Sequence, residues 1–138
     1  MRAVLDPNVW VAALLSPNGA PARIVRSWRE GAFDVVVSPL LLDELARVLA
    51  YAKIRARVPA VEAVAIVSLV RLEGLLVPDP EGPPSVRCAD PDDDYMLALA
   101  EAHDARLVSG DRQLLALHPP YPVHAPAEFL RLLKDELG

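Results

Sequence analysis

Four carboxylates stand where chemistry could be done. Asp6 closes the apolar run Ala3-Val4-Leu5, and Glu44 lies in Leu41-Leu42-Asp43-Glu44-Leu45. Asp93 is the middle of the triplet Asp92-Asp93-Asp94, and Asp111 follows the run from Arg106 to Gly110. If these groups converge, their repulsion must either raise their pKa values or recruit a cation. Hard oxygen ligands without Cys or an obvious His suit Mg2+ or Mn2+. Such ions clamp phosphate oxygens and acidify a coordinated water, the chemistry of phosphodiester hydrolysis. The same positions also read as helix caps: Asp6, Asp90 and Asp111 each precede a helical pattern. Asp90 is best explained that way, and Asp93, three residues on, suits the acidic place of a capping box.

Helical geometry separates neighbouring acids. At about 100° per residue, Leu41, Leu42, Leu45, Val48, Leu49 and Ala52 form one arc. Glu44 falls at its margin, while Asp43 and Arg47 point away. In the helix expected over residues 90–103, Asp93 falls on the side of Leu97 and Ala100, with Met96 and Leu99 in the same arc. Asp94 falls roughly opposite, and Asp92 lies near the Leu99 edge. Asp93 is therefore the inward candidate.

The elements that must position these groups alternate. Strands are expected at residues 3–5, 33–37, 75–77 and 106–109, with an edge strand at 122–124, where proline is tolerated. Helices are expected at 9–15, from Pro21 to about Glu30, 39–53, 60–72, 90–103, 111–117 and 127–137. Strands separated by helices imply right-handed crossovers and a mostly parallel sheet covered on both faces, a three-layer α/β/α sandwich. Ligands of such folds bind at the carboxyl ends of the strands, near the reversal of strand order. Asp6 and Asp111 belong to that edge.

Composition bounds the function. At 138 residues, one domain over 1–138 is expected, large enough to bury a core. The single cysteine, Cys88, excludes an intramolecular disulfide or a cysteine-cluster zinc site, and the chain reads as cytoplasmic. No apolar run approaches the roughly 18 residues that span a bilayer, and the first apolar run is too short for a signal peptide. A net charge of −5 excludes bulk basic adhesion to nucleic acid. Neutralising the four carboxylates takes it to −1, which leaves a metal-mediated grip on phosphate open.

The order of motifs resembles the PIN-domain family. The likeness rests on Val4-Leu5-Asp6-Pro7-Asn8-Val9-Trp10, Ser38-Pro39-Leu40-Leu41-Leu42-Asp43-Glu44-Leu45, the segment from Asp90 to Ala100, and Leu107-Val108-Ser109-Gly110-Asp111. It spans about residues 3–117 and is strongest to the branch of toxins in toxin–antitoxin systems. The resemblance implies a parallel-sheet α/β/α fold and a metal-dependent ribonuclease. The family's acids fall on Asp6, Glu44, Asp93 (or Asp94, with Asp90 a further alternate) and Asp111, its small polar residues on Asn8 and Ser109. The usual Thr or Ser after the first acid is Pro7 here, which removes a hydroxyl but suits a helix first turn.

The expected function is a Mg2+- or Mn2+-dependent endoribonuclease, the toxin of a toxin–antitoxin pair. Its partners would be RNA, a small protein antitoxin and a second copy in a homodimer. Alternatives are a structure-selective DNA or ribosomal-RNA processing nuclease, or an inert α/β binding module. Arg112, Arg23 and Arg26 could touch flanking phosphates, though each also reads as an ordinary surface Arg. Trp10 and Trp28 could stack on bases or fill the core. His103 and His118, at helix ends, read as partners of the helix dipole.

Overall fold

The computed structural model describes residues 1–87 and 90–137; Cys88 lies outside the described residues. Five strands form one parallel sheet: β1 (Arg2–Leu5), β2 (Asp34–Val37), β3 (Leu75–Leu76), β4 (Arg106–Val108) and β5 (Val123–His124). Their order is β3-β2-β1-β4-β5. β1, at the centre, registers Ala3 with Val35 on one side and Leu5 with Val108 on the other. The central strands are continuous Val/Leu runs because both faces of a parallel sheet are covered, and Ala3, Val4, Leu5, Val36, Val37, Leu107 and Val108 are fully buried.

The helices are α1 (Pro7–Leu15), α2 (Ala20–Arg29), α3 (Pro39–Leu49), α4 (Ala52–Arg55), α5 (Ala60–Glu73), α6 (Asp94–Ala102), α7 (Arg112–Leu115) and α8 (Pro126–Leu137). α1 packs on α2 and α3, α3 on α5, and α2 on α8, whereas α6 packs on β1 and β4. Right-handed crossovers put α6 opposite the helices that link β1 to β2 and β2 to β3, giving the α/β sandwich. Trp10 and Trp28 meet edge-to-face at 5.4 Å inside the α1–α2 layer and are core residues, not base-stacking platforms.

Local chemistry sets the boundaries. Ser38 accepts from the Leu41 amide at 3.4 Å with Pro39 at the first helical position, so α3 starts where a cap and an N1 proline coincide. Asp79, from the proline-rich segment after β3, also accepts from the Leu40 amide at 3.2 Å. Gly74 is required by a close approach, since a Cβ there would lie 2.6 Å from the Val70 carbonyl oxygen. The helix expected over 39–53 is instead two, because Tyr51 takes an extended conformation (φ −60°, ψ 137°) and restarts the chain as α4. α6 is preceded by a 3-10 turn, Pro91–Asp93, which changes the rotation of the acidic triplet relative to the helix that follows.

Candidate active site

The strand order reverses at β1 and β4, which neighbour each other while their chains depart in opposite directions. Asp6 leaves β1 there and is buried, as N-cap of α1: its Oδ1 accepts from the Asn8 amide at 3.0 Å. Its Oδ2 accepts from the Ser109 hydroxyl at 2.8 Å, and Ser109 Oγ accepts in turn from the Asp111 amide at 3.0 Å. A fully buried serine thus ties the two strand ends together. Asp111 is exposed and caps α7 by accepting from the Gln113 amide at 2.8 Å. Capping and site-building are therefore compatible: at Asp6 one oxygen caps while the other meets Ser109.

Electrostatics joins the remaining acids to this pair. Burial pushes the Asp6 carboxyl above its ordinary value; the Asn8 and Ser109 hydrogen bonds oppose this, and Asp111 and Glu44 push it further up. Asp93 is half-buried and its pKa is raised to about 6, first by burial and then by Asp90, Asp6, Asp111 and Asp92. Asp93 directly precedes α6 without capping it through its side chain, and its own amide donates to the Asp90 carbonyl at 3.0 Å. Asp90 is exposed and does cap, accepting from the Asp92 amide at 3.0 Å.

Asp94 does not face solvent as the helical arc suggests. It is more buried than Asp93, and its Oδ2 accepts from Arg87 Nε at 2.5 Å. The proline-rich segment folds over this side of α6 and supplies the arginine, which a helical wheel drawn on α6 alone does not show. Glu44 is half-buried and held in a two-pronged pair by Arg47, with Nε donating to Oε2 at 3.2 Å and Nη2 to Oε1. Arg47 therefore turns back to the site margin and also donates to the Tyr51 hydroxyl at 2.6 Å. Asn8 serves the site through its backbone amide, with its side chain exposed.

Tyr95 is a residue that nothing in its sequence context singles out. Its hydroxyl is buried without a hydrogen-bond partner among the described residues, and its pKa is raised by burial first and then by Glu44, Asp6, Asp93 and Asp79. A position directly after three acids in an apolar helix reads simply as core. Arg112, Arg23 and Arg26 are exposed, and Arg26 donates to the Pro17 carbonyl at 2.8 Å. His103 ends α6, and its carbonyl accepts from Arg2 at 3.4 Å. A groove of about 320 Å³ lined by Leu97, Ala100, Leu107, Tyr121 and Val123 includes none of the four carboxylates.

All four acids are hard oxygen donors, the type Mg2+ and Mn2+ prefer, and two are raised in pKa by burial and mutual repulsion, but among the described residues no three of their carboxylates bring an oxygen within 4.8 Å of one another. A sequence model described as the PIN domain matches residues 2–113, which takes in β1 to the start of α7 and all four acids. An uncharacterized protein of Methanocaldococcus jannaschii, MJ1680, is 26% identical over 117 residues, 85% of this chain and 75% of that protein.

Proposed function

The chain belongs to the PIN-domain family, whose members are generally metal-dependent nucleases, and from that premise we propose that it is an endoribonuclease acting at the Asp6 edge. One observation carries the reading. The Asp6–Ser109–Asp111 chain of hydrogen bonds, joined electrostatically by Asp93 and Glu44, builds an acidic centre at the strand-order reversal.

In this reading Asp6, Glu44, Asp93 and Asp111 would hold Mg2+ or Mn2+, which would supply neutralisation of phosphate charge and acidification of water. Ser109 fixes the Asp6 carboxylate through its hydroxyl and Asp111 through its oxygen. Asp93, with a pKa near 6, is ionised at neutral pH and available as a ligand. Arg47 must release or share Glu44 when a cation competes for it. Arg112, beside Asp111, is the nearest arginine in sequence for a flanking phosphate.

The toxin role rests on the motif likeness. Exposed Val61, Val64, Leu72, Leu75 and Leu76, on α5 and edge strand β3, offer an apolar surface to an antitoxin or to a second copy. Among the described residues no helix is long and apolar enough to cross a membrane, which accords with a cytoplasmic site of action.

Labelled RNA, single-stranded DNA and flap DNA, incubated with Mn2+ or with EDTA, test the reading. The expected result is RNA cleavage that EDTA and Asp6→Asn both abolish. Equal cleavage in EDTA overturns it, and preferential cutting of DNA replaces it with the structure-selective DNA nuclease. Growth arrest on induction of the wild type, absent with Asp6→Asn, checks the toxin role.

A further inference from the structure

A second constellation lies at the same end of the sheet, beyond the segment matched to the family. One ring nitrogen each from His118 and His124 and a carboxylate oxygen of Glu128 all lie within 4.8 Å of one another. His124 ends β5 and is 2% exposed; Glu128 sits in the first turn of α8; exposed His118 follows α7. Ligands around a zinc ion at about 2.0–2.2 Å lie about 3.3 Å apart, so side-chain adjustment suffices to close this set.

The hydrogen bonds assign the protons. A carbonyl only accepts, so His118 Nδ1 donates to the Tyr121 carbonyl oxygen at 2.9 Å, and Nε2 carries the lone pair. A ring nitrogen donating to a backbone carbonyl is the arrangement that orients metal-binding histidines. Guanidinium only donates, so Arg106 Nη1 gives a hydrogen bond to His124 Nε2 at 2.9 Å, and His124 Nδ1 donates to Glu128 Oε1 at 2.5 Å.

We propose that His118, His124 and Glu128 form a binding site for Zn2+ or a similar borderline divalent ion, separate from the acidic edge. Two imidazoles and one carboxylate are the donors zinc prefers, and they leave a fourth position to water. The bound ion would clip the loop carrying His118 to β5 and α8. Arg106 competes with it. If Nε2 is the ligand, the guanidinium must leave that atom. If Nδ1 is the ligand, its proton moves to Nε2 and the guanidinium must again withdraw. No part of this rests on the nuclease reading.

Zinc binding to the full chain, measured by calorimetry and thermal melting, tests it. The Asp6→Asn background with excess Mg2+ keeps zinc off the acidic edge. One zinc per chain and a raised melting temperature are expected. Adding His118→Ala, at an exposed ring, should weaken binding at least about tenfold. Adding Arg106→Gln, which removes the competing guanidinium and its positive charge, should tighten it. Unchanged zinc affinity after His118→Ala overturns the site and leaves a hydrogen-bonded triad only. Weaker binding after Arg106→Gln overturns the assignment of His124 as a ligand. Because Asp6 is already replaced, failure here leaves the nuclease reading untouched, and loss of cleavage in Asp6→Asn leaves this site untouched.

Discussion

The acidic edge and the histidine cluster sit side by side, since the Ser109 amide donates to the His124 carbonyl at 3.0 Å, yet their charges are balanced in opposite ways. Burial and like charge push the Asp6 and Asp93 carboxyls up. Glu128 is pulled down instead, first by its hydrogen bond from His124 and also by the positive charge of Arg131. One region is under electrostatic tension that a cation would relieve. The other is satisfied as it stands, and a cation must displace a hydrogen bond to enter. Donor type differs as well, all oxygen at the first and mixed nitrogen and oxygen at the second, so hard and borderline ions should sort between them.

The largest test of that contrast is loss of an acid. Asp6→Asn should reduce divalent-dependent RNA cleavage by at least about 100-fold, the upper end of what losing an outer-shell partner does to a metal site. Asp43→Asn, at the exposed neighbour of Glu44, should leave the rate within about twofold. Equal losses in both variants, measured under single-turnover conditions, would remove the special standing of the inward acids. Asp93→Asn and Asp94→Asn extend the comparison. The first should abolish the rise in melting temperature with Mn2+. The second should keep that rise while lowering the metal-free melting temperature, because it breaks the contact with Arg87.

Much of this edge was legible from the sequence, and the reason is local. The runs Ala3-Val4-Leu5 and Val35-Val36-Val37 are apolar on both sides because both sides are buried, and Ser38-Pro39 marks a helix start through cap chemistry alone. The marginal place of Glu44 follows from its angular position on α3, whereas Asp93 lies in the 3-10 turn ahead of α6, where the angular reading of that helix does not apply. What was not legible depends on segments distant in sequence. Asp94 is buried because Arg87 folds back across it, and Tyr95 faces the acids because the 3-10 turn sets the rotation of α6. The histidine cluster exists because β5 pairs with β4 and α8 starts directly after it, placing residues from a loop, a strand and a helix together. His118, read from a helix end alone, looks like a dipole partner.

Ser109 is the next largest test, because it joins the acidic edge to its neighbour. Ser109→Ala removes the donor to Asp6 Oδ2 and the acceptor of the Asp111 amide while leaving the backbone bond to His124 in place. Activity or metal affinity should fall about 10–100-fold, as for other partners that orient ligands. Stability should fall by about 1–3 kcal/mol for the polar groups left unpaired. His124→Gln should lower stability by a similar amount, about 1–3 kcal/mol, since Arg106 and Glu128 both lose their partner. Cleavage after His124→Gln should change far less than after Ser109→Ala. Chemical denaturation and cleavage rates on the same two preparations would separate the regions.

The smallest expected effect is the pH dependence of the metal-free protein. Asp93 has a folded-state pKa of about 6 against an ordinary value of 3.8, so between those pH values the folded chain binds more protons than the unfolded one. Stability therefore falls as pH rises through that window and levels off above about 6. The size of the fall is limited because Asp93 is only partly buried and solvent screens it. Asp93→Asn should flatten the slope, and saturating Mn2+ should reverse it, because the ion binds the ionised carboxylates and stabilises the folded state more as pH rises. Thermal melts at pH 4, 5, 6 and 7, with EDTA and with Mn2+, read both slopes. A wild-type slope in EDTA identical to that of Asp93→Asn would mean that the acidic edge is not under the tension that distinguishes it from the histidine cluster.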